Sequence, residues 1–203
     1  MHLYISKKRP LILASSSPRR KELLSSAGIP FIAEQSNVSE DFSEKLPDRI
    51  TTELALKKAL AVYEDKRWWT LGADTLVVSS DVILEKPYDT YDAIKMLKML
   101  NGKKHRVITG FCIIDPSGNT THSESVTTIV SFKKLSADEI KLYVATGEPF
   151  GKAGAYAIQG IGAFMAEKIE GSYSNVVGLP VCEVIQALVK NQAIKKFPIA
   201  DIL

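Results

Sequence analysis

A hydroxyl-rich segment followed by basic residues, Ser15-Ser16-Ser17-Pro18-Arg19-Arg20, combines residue types that bind phosphate. Ser17 and Pro18 are typical of an N-cap and a first helical position, so the segment predicts the start of a helix. Unpaired N–H groups and a partial positive charge at such an end attract anions.

Arg19 and Arg20 would repel that partial charge by about 0.3–1 kcal/mol each, so the segment is locally unfavourable unless an anion binds. A triphosphate would turn the repulsion into attraction, because guanidinium groups match phosphate oxygens. The segment therefore indicates a phosphate cradle that includes Ser15, Ser17 and Arg20. An ordinary capped helix whose arginines point to solvent is the alternative.

Asp74 lies between small residues in Gly72-Ala73-Asp74-Thr75, where an apolar strand is predicted. Small neighbours allow a metal ion or a phosphate to approach the backbone. A carboxylate there can hold a divalent cation or activate a water molecule. A turn aspartate that accepts local N–H groups is the alternative.

Three lysines could add positive charge to such a site. Lys86 precedes Pro87, which fixes the chain direction, and Lys58 lies on a predicted helix beside small apolar residues. Lys152 lies in the glycine-rich segment 147–160, which predicts a rigid loop that allows backbone to approach a ligand. Each lysine has an alternative interpretation. Lys86 could form a surface salt bridge, Lys58 could snorkel to solvent, and Lys152 could lie in an ordinary packed loop.

Gln159 ends that glycine-rich segment, and its amide offers both donors and an acceptor, a combination suited to the edge of a nucleobase. A surface glutamine is the alternative. His105 follows Gly102-Lys103-Lys104 without other metal-ligating residues beside it, and we expect it to be structural.

Hydrophobic periodicity predicts the elements that position these residues. The predicted strands are 11–14, 31–33, 69–78, 82–84, 105–114, 121–132 and 163–169. The predicted helices are 17–27, 49–64, 89–100, 136–146 and 181–190. Strands and helices interleave, but a central hairpin breaks the βαβ rhythm. We expect an α/β fold, with helices flanking a mixed sheet and two lobes around a deep cleft.

Taken together, these motifs resemble the Maf family of nucleotide pyrophosphatases, in the family's order and over about Leu11 to Lys190. Gly151 departs from the family, which often carries an aspartate before the lysine. The matching pieces are Ala14 to Arg20, Ala55…Lys58-Ala59, Gly72 to Thr75, Glu85-Lys86-Pro87, Gly102…His105…Thr109-Gly110, Gly147-Glu148-Pro149, Lys152 to Tyr156, Gln159-Gly160 and Val177 to Pro180.

The resemblance implies metal-assisted hydrolysis of a nucleoside triphosphate at its α-phosphorus, giving the monophosphate and pyrophosphate, with Mg²⁺ or Mn²⁺ as cofactor. It implies a fold similar to that of inosine triphosphatases, and Asp74 as catalytic proton acceptor. Arg19, Thr75 and Gln159 resemble the dTTP/UTP-preferring type rather than the 7-methyl-GTP type. Removal of modified pyrimidine nucleotides is a further role to expect.

Chemistry and the resemblance together assign the remaining roles. Asp74 is the expected metal ligand, with Glu40 from an acidic loop as its partner. Ser15, Ser17, Arg20, Lys58, Lys86 and Lys152 are the expected phosphate-binding residues. We expect one domain at residues 11–190, an N-terminal extension at 1–10 and a C-terminal tail at 191–203.

Composition restricts the class of protein. Hydrophobic residues make up 45% and charged residues 24% of the 203 residues, which is typical of a globular chain. A net charge of +3 without a basic stripe argues against nucleic-acid binding. No apolar run reaches the roughly 18 residues of a membrane span. The sequence therefore does not predict membrane insertion, and the N-terminal segment is not typical of a secretory signal. Cys112 and Cys182 are expected to be reduced, so we expect a cytoplasmic protein.

Two alternative functions stay open: a pyrophosphatase of the 7-methyl-GTP type and a protein without catalytic activity. A non-catalytic nucleotide-binding regulator of cell division could use the same basic residues, although it would not require a water-activating carboxylate. The sequence also does not decide between a monomer and a homodimer.

Overall fold

The structure is a computed structural model that describes residues 4–42, 44–63 and 68–199. Strands and helices alternate along the described part of the chain. The strands are β1 (Leu11–Ala14), β2 (Phe31–Glu34), β3 (Thr70–Ser79), β4 (Val82–Leu84), β5 (Lys104–Ile114), β6 (Thr120–Phe132) and β7 (Ala166–Glu170). The helices are α1 (Pro18–Ser26), α2 (Pro47–Val62), α3 (Thr90–Leu100), α4 (Ala137–Ala145), α5 (Tyr173–Val177) and α6 (Val181–Lys190). Two 3₁₀ helices, Ala153–Ala155 and Gly160–Met165, lie in the glycine-rich segment.

The strands form one seven-stranded sheet in the order β2-β1-β3-β5-β6-β7, with β4 paired to β3. β1 runs parallel to both β2 and β3. β3 and β4 are antiparallel, as are β6 and β7. The predicted mixed sheet with flanking helices is therefore confirmed, whereas the cleft stays a prediction.

The chain divides into two compact units. The first unit comprises Met1–Asp74, Thr109–Val126 and Gly178–Leu203, and the second comprises Thr75–Ile108 and Thr127–Val177. β3, β5 and β6 each contribute residues to both units.

The first unit is organised around a core that includes Leu11 and Leu13 of β1, Leu24 of α1 and Leu188 of α6. Burial of these leucines removes apolar surface from water, at about 25 cal/mol per Å². The N–H of Ile5 donates to the carbonyl of Ala193 at 2.8 Å.

Residues outside the expected 11–190 domain contribute to this core. Ile5, Ala193 and Ile194 are buried in it, although they belong to the segments expected as an extension and a tail. The neighbouring charged side chains of 7–9 and 195–196 are exposed. Apolar residues of both terminal segments thus stabilise the first unit while their charges stay in water.

Helix α2 lies directly on the backbone of the sheet. A Cβ atom at Gly72 of β3 would collide with the carbonyl of Ala55 and the N–H of Ala59. A Cβ at Gly110 of β5 would likewise collide with the backbone of Thr51. The two glycines therefore permit a close helix–strand approach, and Asp74 follows Gly72 by two residues on the same face of β3.

The second unit contains α3 and α4, and a side chain caps the first turn of each. Asp89 accepts the N–H of Asp92 at 2.7 Å. Ser136 and Glu139 form a capping box, in which each side chain accepts the other's backbone N–H. The ring of His105 packs against Phe132 and Tyr156, and its Nε2 lies 2.8 Å from the Tyr156 hydroxyl. Burial lowers the pKa of His105 to about 4, so it is neutral at pH 7 and serves packing, as expected.

Several element boundaries differ from prediction. Helix α2 begins at Pro47, two residues before the predicted start, because proline suits the first turn. The predicted end of that helix, Glu64, lies outside the described residues. The last strand begins at Ala166 rather than 163, because the chain before it forms a 3₁₀ helix. Helix α5 was not predicted, since five residues are too few to show a period.

No helix in the described part of the chain combines the length and apolarity needed to cross a membrane.

The contact at Gly72 leads to a stability prediction. We expect Gly72→Ala to lower the free energy of unfolding by about 3 kcal/mol or more, because the new methyl group forces α2 away from β3. Urea denaturation followed by circular dichroism measures this loss. Gly28→Ala is the control: nothing lies within 4 Å of its new methyl group. Gly28→Ala should lower the free energy of unfolding by only about 1–2 kcal/mol, which is the cost of a Cβ atom in a left-handed backbone conformation. Equal or smaller losses at Gly72 would contradict the close packing.

Candidate active site

Arg20, in the first turn of α1, is a buried cation. Its Nε donates to the carbonyl of Gly178 at 2.8 Å, and its Nη1 donates to Ser15 Oγ at 3.3 Å. Ser15 Oγ also accepts the N–H of Ser17 at 3.2 Å. The solvent-pointing alternative is therefore wrong for Arg20, whose side chain is 9% exposed.

The charge of this guanidinium is only partly balanced. Burial lowers the pKa of Arg20, and the positive charge of Arg19 lowers it further. The carboxylates of Asp74 and Glu40 oppose this effect and raise it. Arg20 is thus a desolvated cation that an anionic ligand would stabilise.

The N-cap of α1 departs from expectation in one detail. Ser17 occupies the N-cap position, but its side chain makes no capping hydrogen bond. No acidic residue lies in the first turn of α1. The start of the helix therefore keeps the anion-attracting character that the sequence predicts.

A buried lysine connects two carboxylates. Lys58 Nζ, on α2, lies 2.6 Å from Asp74 Oδ1 and 2.8 Å from Glu40 Oε1. The side chains of Lys58 and Asp74 are 10% and 11% exposed, while that of Glu40 is 51% exposed. Because Lys58 bonds Oδ1, Asp74 Oδ2 remains as the oxygen that can accept a proton from a water molecule. The snorkelling alternative for Lys58 is wrong.

The two carboxylates suit a hard divalent cation. Both approach the same ammonium group, so they converge on one cationic position. The described residues contain no group of three or more His, Cys, Asp or Glu side chains that could hold a metal. Mg²⁺ is typically bound by one or two carboxylates together with substrate phosphates and water. Asp74 and Glu40 fit such a partial ligand set.

A second group of predicted residues belongs to the second unit. The side chains of Thr75, Lys152 and Gln159 are half-buried, and Lys86 is exposed. Lys152 Nζ donates to the backbone carbonyl of Glu148. The N–H of Gly154 donates to the carbonyl of Glu85 at 3.1 Å, which ties the Glu85-Lys86-Pro87 segment to the glycine-rich loop.

The structure thus assembles the predicted residues in two sets. Ser15, Ser17, Arg20, Lys58, Asp74 and Glu40 lie in the first unit, together with half-buried Arg19. Thr75, Lys86, Lys152 and Gln159 lie in the second. The first set can bind an anion and accept a proton, and the second offers cations and an amide.

Sequence reasoning missed two partners. The Gly178 carbonyl that accepts from Arg20 is 158 residues away in sequence, and a backbone carbonyl has no side-chain signature. The Glu148 carboxylate accepts the N–H groups of Ile161 and Gly162. Its only signal was its place within the Gly147-Glu148-Pro149 motif.

Comparison with known proteins gives a consistent set of relatives. The family model described as Maf-like protein matches residues 10–191. A protein of Geotalea uraniireducens named dTTP/UTP pyrophosphatase is 50% identical over 191 residues, covering 93% of this chain and 98% of its own. One of Syntrophotalea carbinolica with the same name is 48% identical over 191 residues, covering 92% of this chain and 87% of its own.

A solved structure also shows similarity. It is a nucleoside-triphosphatase, dITP/XTP pyrophosphatase, from Mycobacterium abscessus. The alignment covers 62% of this chain and 75% of that chain, with 13% sequence identity and a TM-score of 0.41.

The contacts of Arg20 reverse an expectation drawn from the sequence. Repulsion at the helix start alone would make Arg20→Ala no less stable than the wild type. Because Gly178 and Ser15 would lose a buried charged donor, we instead expect a loss of about 1–3 kcal/mol. Urea denaturation tests this, with Arg9→Ala as a control at an exposed arginine. Unchanged stability of Arg20→Ala would contradict the buried contact.

Proposed function

The chain belongs to the family of Maf-like proteins, and from this premise we propose that it hydrolyses dTTP and UTP to the monophosphate and pyrophosphate. Relatives that are about half identical over nearly the whole chain are named for this activity. The observation that carries the proposal is the buried Lys58 ammonium between Asp74 and Glu40, in the same unit as Arg20.

In the proposed reaction, water attacks the α-phosphorus. The new bond joins the water oxygen to this phosphorus, and the bond to the bridging oxygen of the β-phosphate breaks. Asp74 Oδ2 accepts the proton from the attacking water, while pyrophosphate leaves with the bonding electron pair. No covalent enzyme intermediate is required, so neither Cys112 nor Cys182 takes part.

Cationic side chains stabilise the charge of the triphosphate and of the leaving pyrophosphate. We assign Arg20 and Lys58 to this role in the first unit, and Lys86 and Lys152 in the second. Ser15 and Ser17 belong to the turn that orients Arg20. Ser15 Oγ accepts one hydrogen bond from the Ser17 N–H and one from the Arg20 guanidinium. These fixed partners hold the guanidinium in place before substrate binds.

We further propose that Asp74 and Glu40 hold Mg²⁺ or Mn²⁺. When bound, the cation would neutralise phosphate charge and polarise the phosphoryl oxygens. Lys58 holds the two carboxylates together through its bonds to both.

Base selection is assigned to Arg19, Thr75 and Gln159. Uracil and thymine present an N3–H donor beside carbonyl acceptors, and the Gln159 amide can accept from the first and donate to the second. Cytosine reverses part of this pattern. A site built on such hydrogen bonds discriminates more strongly than an apolar pocket. The proposal therefore extends to modified pyrimidine nucleotides whose bases present the same N3–H donor and carbonyl acceptors.

One experiment separates this function from its rivals. The purified protein is given dTTP, UTP, CTP, GTP and 7-methyl-GTP in ¹⁸O-labelled water, with and without Mg²⁺. We expect pyrophosphate from dTTP and UTP, with the ¹⁸O label in the monophosphate. Label in pyrophosphate would contradict attack at the α-phosphorus. Preference for 7-methyl-GTP would reassign the type, and binding without turnover would favour a non-catalytic regulator.

Removal of the proposed base gives a sharper test. Asp74→Asn keeps the shape of the side chain but removes its charge, and we expect at least about a hundredfold lower kcat. Asp81→Asn is the matched control, because the Asp81 side chain is 97% exposed. Steady-state pyrophosphate release measures both variants, with circular dichroism to verify folding. Near-normal turnover of a folded Asp74→Asn protein would sink the assignment.

The role of Gln159 is tested by replacing its donor. Gln159→Glu leaves only acceptors facing the base carbonyls, which should cost about 1–3 kcal/mol in kcat/KM for dTTP and UTP. The kcat/KM values for dTTP, UTP and CTP are compared with those of Gln186→Glu, an exposed control on α6. An unchanged ranking of substrates in Gln159→Glu would refute the assignment.

A further inference from the structure

Gln159 is located immediately before a short helix that depends on one carboxylate. The 3₁₀ helix Gly160–Met165 starts directly after it, and Gln159 is the N-cap residue. The side chain of Gln159 makes no capping bond to this helix. The backbone of Gln159 leads directly into the first turn, so its position depends on what holds that turn in place.

The carboxylate of Glu148 binds that turn through two adjacent N–H groups. Oε1 accepts from the N–H of Ile161 at 3.0 Å, and Oε2 accepts from that of Gly162 at 2.7 Å. The first N–H groups of a helix have no partner within it, so the carboxylate acts as a cap from 13 or 14 residues earlier. Such charge-assisted bonds are about twice as strong as neutral ones.

The balance of interactions at Glu148 favours its charged form. Partial burial would raise the pKa of Glu148, but hydrogen bonds from Gly162, Tyr143 and Ile161 and the charge of Lys152 outweigh it. The pKa of Glu148 is therefore lowered, and both oxygens remain acceptors at neutral pH.

Two glycines are needed for this arrangement. Gly160 has φ +74°, and a Cβ there would collide with Glu148 Oε1. A Cβ at Gly162 would collide with the Ala157 carbonyl and lie 2.7 Å from the Tyr143 hydroxyl. The carboxylate thus lies against bare backbone, where it fixes the chain on the C-terminal side of Gln159.

The backbone of the same residue also holds a proposed phosphate-binding lysine. The carbonyl of Glu148 accepts from Lys152 Nζ, and the carbonyl of Phe150 lies 3.5 Å from it. Glu148 consequently connects Lys152 with the turn that carries Gln159. A change in its side chain should affect the turn more than the lysine, because the side chain accepts two N–H groups of the turn, whereas the hydrogen bond to the lysine comes from the Glu148 backbone.

We propose that Glu148 is a positioning residue for base selection, which holds Gln159 in the orientation that recognises uracil and thymine. The inference rests on the proposed function. Glu148 itself touches neither the base nor the phosphates in this assignment; it acts through the N–H groups of Ile161 and Gly162.

The test compares Glu148→Gln with Glu139→Gln. Both glutamates accept a backbone N–H at a helix start, but Glu139 caps α4. Hydrogen exchange by mass spectrometry is measured over residues 153–165. We expect at least about tenfold faster exchange there in Glu148→Gln, because the new amide replaces one acceptor with a donor. Glu139→Gln should leave this segment unchanged. Unchanged exchange in Glu148→Gln would overturn the proposal whether or not the protein hydrolyses nucleotides.

A double-mutant cycle tests the link to Gln159. The ratio of kcat/KM for dTTP to that for CTP is measured in Glu148→Gln, Gln159→Ala and the double variant. We expect each single variant to lose at least about tenfold in this ratio, mainly through KM for dTTP, and the double variant to lose no more than one single variant. Additive losses, or a wild-type ratio in Glu148→Gln, would overturn the positioning role.

These outcomes remain separable from failure of the proposed function. A wild-type protein that releases no pyrophosphate from any nucleotide refutes the activity and, with it, the selection role, while the exchange result still decides the anchoring of the turn. If Glu148→Gln does not fold, Glu148→Asp is measured identically. It keeps the charge but is one methylene too short to reach both N–H groups, and a wild-type ratio there would also overturn the proposal.

Discussion

The buried ammonium of Lys58 connects helix α2 with strand β3 in the first unit. A desolvated charge is costly unless partners surround it, and Lys58 meets this need with Asp74 and Glu40. Since Lys58 lies on α2 and Asp74 on β3, helix and strand must approach within the reach of one side chain. Gly72 allows that approach, because any Cβ there would collide with the backbone of α2.

Arg20, at the start of α1, is a second buried cation that requires polar partners. Its guanidinium is oriented by the Gly178 carbonyl and Ser15 Oγ, both neutral acceptors. Neutral acceptors satisfy hydrogen bonds without cancelling charge, so the lowered pKa of Arg20 reflects burial that its neighbours only partly offset. Hydrogen bonds from two directions fix the guanidinium, so little reorganisation would be needed for it to meet an anion.

The sequence predicted best those features of the fold that depend only on residues close together in the chain. The bounds of α6 are those predicted from its hydrophobic pattern, and α4 begins and ends within one residue of the predicted helix 136–146. Asp74, Lys58 and Arg20 were singled out from residue type and neighbours, and the structure shows that all three are buried, with their catalytic and binding roles remaining predictions. Partners such as the Gly178 carbonyl and the N–H groups beneath Glu148 were not predicted, because they are backbone atoms brought near by the fold.

The glycine-rich segment shows why such partners matter for function. Glycines permit the close backbone approach that ligand binding needs, but they also increase the conformational freedom that folding must remove. The segment therefore requires anchors, and its hydrogen bonds supply them: Gly154 to Glu85 at one point, and Ile161 and Gly162 to Glu148 at another. These anchors lie on both sides of Gln159 along the chain, so they fix the backbone before and after this residue.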